Sequence, residues 1–228
     1  MSIYLITDPD LAPSKRYCLI LNSILEEYGF SLLKSKNTFV RKFEFGTHRV
    51  SLQFVTTMGF IHSVGVHFTI SFDQMDKLFK KEFNSRNPTL RIYLGYLNQF
   101  LFDEASGTYS DKTLNDAASH YFSEFHPKIE TACSQFSSYP KLFNEILNNT
   151  TNIIYHSSVP SVMRMGLFLA KYLDPNMSDK IRNDLEEYCV TVINQKFQPD
   201  MFSKFKETFH FISNHTIDKK LAKIISST

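Results

Sequence analysis

NTFVRKFEFGTHRVSLQFV, residues 37–55, alternates apolar and aromatic side chains with polar and basic ones. A period of two puts successive side chains on opposite faces of a strand. By that parity Phe39, Arg41, Phe43 and Phe45 share one side, and Val40, Lys42 and Glu44 the other. Gly46-Thr47 offers a turn, after which Val50, Leu52 and Phe54 alternate with Arg49, Ser51 and Gln53. The stretch is therefore read as a β-hairpin with a core side and an outer side. A sheet-surface reader of single-stranded nucleic acid needs aromatics and cations on the same exposed side, so that bases stack while phosphates are neutralised. Here the phenylalanines lie on one side and Lys42 on the other. Arg41 alone joins the phenylalanines, so it either reaches water at a sheet edge or answers a buried acid.

The same periodicity extends downstream. Val64, Val66, Phe68, Ile70 and Phe72 alternate with Ser63, Gly65, His67, Thr69 and Ser71, the pattern of an antiparallel strand with one covered and one polar face. A short helix opened by Asp73 carries Met75, Leu78, Phe79 and Phe83, and a further strand is expected over Leu90 to Leu97. Upstream, Tyr17, Leu21, Ile24, Leu25 and Tyr28 recur at helical spacing, with Ser14 as the expected N-cap. Gly29 stands where a left-handed terminal residue belongs, and Phe30 where that cap makes its hydrophobic contact.

From Asp111 the period becomes 3.6. Leu114, Ala117, Ala118, Tyr121, Phe122, Phe125, Ile129, Ala132, Cys133 and Phe136 form one stripe, read as core. Pro127 lies on the opposite face, so a kinked helix is expected there. Ser138-Tyr139-Pro140 opens another helix, and four more are expected near 160–173, 178–196, 200–213 and 216–226. The fold class is α+β, an antiparallel sheet of about four strands packed on helices, with an all-helical C-terminal half. Residues 1–150 form the α+β part, and 151–228 a helical extension on the same core.

Composition narrows the function classes. Of 228 residues 43% are hydrophobic, including 22 Phe, which is ample for a core and excludes a disordered chain. The net charge of +2 has no basic stripe, which argues against a general polyanion binder. Cys18, Cys133 and Cys189 are odd in number, far apart and set in apolar context, so they read as buried thiols of a reducing compartment. The N-terminus lacks a basic region and a long apolar run, and VMRMGLFLAKYL (162–173) is broken by Arg164 and Lys171. A cytoplasmic protein with no membrane span is expected, so sequons such as Asn149-Thr150-Thr151 carry no weight.

No chemistry-bearing motif emerges. His120/Glu124 and His126/Glu130 each share a helix face, but the two histidines are six residues apart and no third ligand stands at a useful spacing. His62 and His67 read as sheet residues. The serine pairs Ser137-Ser138 and Ser157-Ser158 precede prolines that open helices and serve as caps. The glycines are too few and scattered for a phosphate loop. Glu26-Glu27, Asp103-Glu104 and Glu186-Glu187 are sequence neighbours, which on a helix do not face one another. No catalytic residue, metal ligand or cofactor is predicted, leaving a hydrolase or nuclease with an unrecognised carboxylate/His site as the enzyme alternative.

The order of elements carries a resemblance. EEYGFSLLKSKNTFVRK (26–42) runs from a helix ending in Gly-Phe into a β-meander, and FHPKIETACSQFSSYPKLFNEI (125–146) continues an amphipathic helix. Over about residues 14–195 the chain resembles a family of small bacterial domains of unknown function, some regarded as immunity proteins against toxins. The resemblance implies a cytoplasmic protein that works by binding another protein, and it supplies no active-site residues. The helices beyond about Pro199 are additional to that pattern. The outer sheet face, with Lys42, Glu44, Arg49, Gln53, Ser63, His67 and Thr69, reads as polar, nearly balanced in charge and without a stacking platform. Lys42, Arg49 and His67 are the expected partner-binding residues. Nucleic-acid association remains the third reading.

Overall fold

The computed structural model describes residues 5–33, 36–57, 60–83, 90–97, 108–148, 159–192, 199–216 and 218–227. Five antiparallel strands form one sheet in the order β1-β2-β3-β4-β5: β1 Ser31–Leu33, β2 Thr38–Phe43, β3 Gly46–Thr57, β4 Phe60–Phe72 and β5 Leu90–Leu97. Eight α-helices are described: α1 Pro13–Leu25, α2 Asp73–Phe83, α3 Asp111–Gln135, α4 Tyr139–Asn148, α5 Val159–Leu173, α6 Ser178–Val192, α7 Pro199–Asn214 and α8 Lys219–Ser226. The chain is α+β, with most of its helices in the C-terminal half. It divides into two compact units, residues 1–71 with 91–134, and residues 72–90 with 135–228. No helix among the described residues is long and apolar enough to cross a membrane.

The sheet has five strands where about four were expected. The additional strand, β1, has three residues, too few for alternation to reveal, and it pairs with β2 through Ser31↔Val40 and Leu33↔Thr38. Two local expectations are also corrected. Helix α1 begins at Pro13 with Ala12 as its N-cap, because proline's fixed φ and missing N–H suit the first helical position; Ser14 is therefore already inside the helix. The hairpin turn is Glu44-Phe45, since Phe43 pairs with Gly46, so Gly46-Thr47 opens β3 instead of turning the chain.

The end of the first helix follows its expectation. After a 3-10 turn at Glu26–Tyr28, Gly29 adopts φ 77°, a backbone that L side chains rarely enter. Its N–H donates to the Glu26 carbonyl at 3.0 Å, and the Phe30 N–H to the Leu25 carbonyl at 3.1 Å, the paired bonds of a Schellman cap. Phe30 is buried behind it.

In the first unit the covered face of the sheet carries Phe39, Val50, Leu52, Val64, Val66, Phe68 and Ile70, all buried. Tyr17 of α1 meets Phe54 edge-on at 6.1 Å, and the buried stripe of α3 includes Leu114, Ala117, Tyr121, Phe125 and Ile129. Helix α3 runs unbroken through Pro127, which lies exposed, away from that stripe. Arg41 answers an acid, but not the buried one expected, since the Glu130 side chain is 40% exposed. Its guanidinium reaches Glu130 at 2.8 Å and the Tyr28 carbonyl at 3.1 Å, and it lies 4.5 Å from the centre of the Phe30 ring. One side chain thereby ties the end of the first helix, β2 and α3 together.

The second unit is helical. Phe79 of α2 meets Phe168 of α5 at 5.6 Å, and Phe72 meets Tyr139 at 4.7 Å. Ser138 caps α4, its hydroxyl accepting the Lys141 N–H at 3.4 Å; Ser157 and Ser158 lie outside the described residues. The Lys171 ammonium donates to the carbonyls of Ile212, Ser213 and His215 at the end of α7, where the helix dipole favours a cation. Gly166 of α5 is a close approach: a Cβ there would sit 3.0 Å from Ile181 Cγ2 and 3.2 Å from Ile146 Cγ2. Gly166→Val overpacks this contact and lowers stability by about 1–3 kcal/mol. Urea unfolding checks it, and an unchanged midpoint refutes the tight packing.

Candidate functional site

The register of the hairpin defines the outer face. Lys42 opposes Thr47, Val40 opposes Arg49 and Thr38 opposes Ser51, and directly opposed residues share a face. Lys42 is exposed and donates to Thr47 Oγ1 at 2.8 Å. Arg49 donates to Ser71 Oγ on β4 at 2.8 Å, and His67 Nε2 meets Gln53 Oε1 at 3.2 Å. All three expected contact residues therefore stand on one face. Ser63 and Thr69, expected to be exposed there, are buried in β4.

Sequence reasoning missed Arg91, Tyr93 and Tyr96 of β5. The Tyr93 ring lies 5.2 Å from His67, and Tyr96 lies 5.4 Å from Tyr93 in an edge-on arrangement. Burial first and then the nearby Arg91 guanidinium lower the pKa of His67 below its ordinary value, so the ring is neutral at neutral pH. Tyr93 and Tyr96 are 44% and 48% exposed, so the outer face does carry aromatic surface, contrary to the expectation. Arg91 and Tyr93 were legible as the polar partners of Leu90 and Ile92; Tyr96 was not.

The charge expectation also changes. None of the five strands contains Asp or Glu, while they carry Arg41, Lys42, Arg49 and Arg91. Glu44 lies in the hairpin turn and is exposed. Excluding Arg41, which is occupied by Glu130 on the covered side, the strand charges of the outer face are all positive.

The other candidate residues have separate partners. Glu130 belongs to Arg41, and its helix partner His126 is buried between Phe122, stacked at 4.5 Å, and Tyr28 at 4.1 Å. His120 reaches Glu124 at 3.4 Å on an exposed helix face. Among the described residues, no group of three His, Cys, Asp or Glu could hold a metal ion. Cys18 and Cys133 are buried free thiols, and burial pushes each up to about 12, so neither is a thiolate nucleophile at neutral pH. The Cys189 side chain and the Asp103-Glu104 pair lie outside the described residues.

The fold and this geometry define an α+β protein with a basic, tyrosine-bearing sheet face. In comparisons with known proteins, no family model, no curated protein and no solved structure matches the chain.

Proposed function

We propose that the protein is a non-enzymatic binding module that docks an acidic protein partner on the outer face of its sheet. One observation carries the reading: Lys42, Arg49 and Arg91 project from strands that contain no carboxylate. Complementary potential steers association with an acidic surface and disfavours basic partners. The action is that of a cytoplasmic immunity-type protein, occluding its partner by bulk and charge without a cofactor or covalent step. This accords with the order of elements on which the family resemblance rests.

The test begins with capture from native cytoplasm, followed by calorimetric titration of the two purified proteins. A one-to-one complex is expected. Its affinity falls at least about tenfold in the Arg49→Glu/Arg91→Glu double variant and weakens as salt rises. Equal affinity of the double variant removes the reading. The exposed tyrosines beside these cations favour a second reading, single-stranded nucleic acid, for which a steep salt slope with a short oligothymidylate would be the signature.

A further inference from the structure

We infer that the outer face has an aromatic centre, Tyr93, Tyr96 and His67, built on two strand glycines, and that it takes a protein surface presenting an apolar side chain ringed by carboxylates. The inference rests on the docking reading above and specifies where its energy resides.

The first glycine is Gly95. Tyr93 and Tyr96 are three residues apart, so regular alternation would send them to opposite faces. Gly95 has φ 128°, a conformation open to glycine, and the alternation breaks there. Both tyrosines are exposed and their rings meet, while Leu97 returns to the core. The position that a Cβ on Gly95 would take lies 3.6 Å from Phe125 of α3, an ordinary packing distance, so it is the positive φ and not crowding that calls for glycine.

The second glycine is Gly65 on β4. A Cβ there would come 3.1 Å from Tyr96 Cε1 and 3.5 Å from Gln53 Cβ, so the missing methyl is what lets the tyrosine ring lie close over the strand. A glycine inside a strand costs stability, which covering its backbone with one ring partly offsets. Tyr93 adds a second exposed ring that has no such task, set against His67. Tyrosine and arginine are the side chains that dominate interface energetics, with a water-excluding centre and a polar rim. Here the tyrosines supply the centre and Arg91, Arg49 and Lys42 the rim, which fits an apolar side chain surrounded by acids.

Amide-detected NMR titration tests this on the full chain with two capped acidic peptides, one of glutamates alone and one with a central phenylalanine. The phenylalanine peptide is expected to bind about tenfold more tightly and to shift the amides around Gly65, Tyr93 and Tyr96. That advantage shrinks to within about twofold in Tyr96→Ala, and it persists in Tyr96→Phe, which keeps the ring. Equal binding of the two peptides by the native protein, or an advantage that survives Tyr96→Ala, overturns the aromatic centre. Failure of the docking reading looks different: neither peptide shifts the face, or Arg49→Glu/Arg91→Glu leaves both affinities unchanged. A short oligothymidylate binding more tightly than either peptide would overturn both inferences in favour of nucleic acid.

Discussion

Replacing Arg16 with methionine lowers the unfolding free energy by about 3–5 kcal/mol, the range for removing one partner of a buried ion pair. Arg16 sits within α1 with its side chain 8% exposed, and each of its three guanidinium nitrogens donates a hydrogen bond. Nε donates to Thr7 Oγ1 at 2.7 Å, Nη1 to the Tyr109 carbonyl at 2.7 Å and Nη2 to Asp111 Oδ1 at 2.9 Å. Thr7 also donates to Asp111, and Asn115 exchanges two bonds with the backbone of Leu5. The guanidinium thus fastens the N-terminal segment to the first turn of α3. Methionine matches the stem but takes the guanidinium bonds from three acceptors, of which Asp111 keeps only its bonds from Thr7.

Chemical unfolding of Arg16→Met and Arg16→Lys measures the effect. Lysine keeps the charge without the planar fork and should recover only part of the loss. A deficit under about 1 kcal/mol in the methionine variant would place the pair among weakly contributing surface bridges. The network also has an acid signature. Burial alone raises the pKa of Asp111, but hydrogen bonds from Thr7 and Arg16 outweigh it and hold the carboxyl below its ordinary value. A carboxyl so depressed contributes fully above its unfolded pKa, and the contribution fades as pH falls through the folded one.

Stability also falls by roughly 3 kcal/mol through His48 alone as pH drops from 6.5 to about 4. His48 is buried on the covered side of β3, stacked on Phe43 at 4.3 Å, and among the described residues neither ring nitrogen has a hydrogen-bond partner. Burial first, and then the Arg41 guanidinium across the strand pair, lowers its pKa from 6.5 to about 4. Between those values the unfolded chain takes up a proton that the folded chain refuses, so stability rises with pH across that window and levels above it.

His126, His67 and His215 are also depressed, so the discriminating measurement is a difference. The stability profile of His48→Leu should be flatter than the native one by the His48 contribution. It should lose nothing at neutral pH, because leucine removes two unpaired buried nitrogens. Parallel profiles for the two proteins would refute a buried neutral His48.

Much of the fold was written in periodicity. The strand over residues 63–72 and the helical stripe from Leu114 were legible because each is long, and a wrong period would expose a row of large apolar side chains. The Gly29 cap was legible because its left-handed backbone favours glycine. The three-residue β1 had no such signal, since a strand of that length is defined by its partner. The turn slipped by two residues because Gly46 looks like a turn residue, whereas pairing of Phe43 with Gly46 leaves Glu44-Phe45 between them.

The candidate site was half legible for the same reason. Parity assigned Lys42, Arg49 and His67 to the outer face, and the register of β2 and β3 agrees with it for the first two. Tyr96 depended on one backbone angle at Gly95 and on the space above Gly65, neither of which alternation encodes. Arg16 was invisible as a core residue because a guanidinium enters a core only when distant acceptors converge on it, here from Thr7, Tyr109 and Asp111. By itself, then, the sequence determined the types of the longer elements, the covered face of the sheet and Arg41 as the one cation on that face. Only tertiary structure decided that its acid is Glu130, that Arg16 is buried and that two tyrosines share one face. The former follow from local periods, while the latter depend on groups distant in the chain, or on a local break in alternation, that no period specifies.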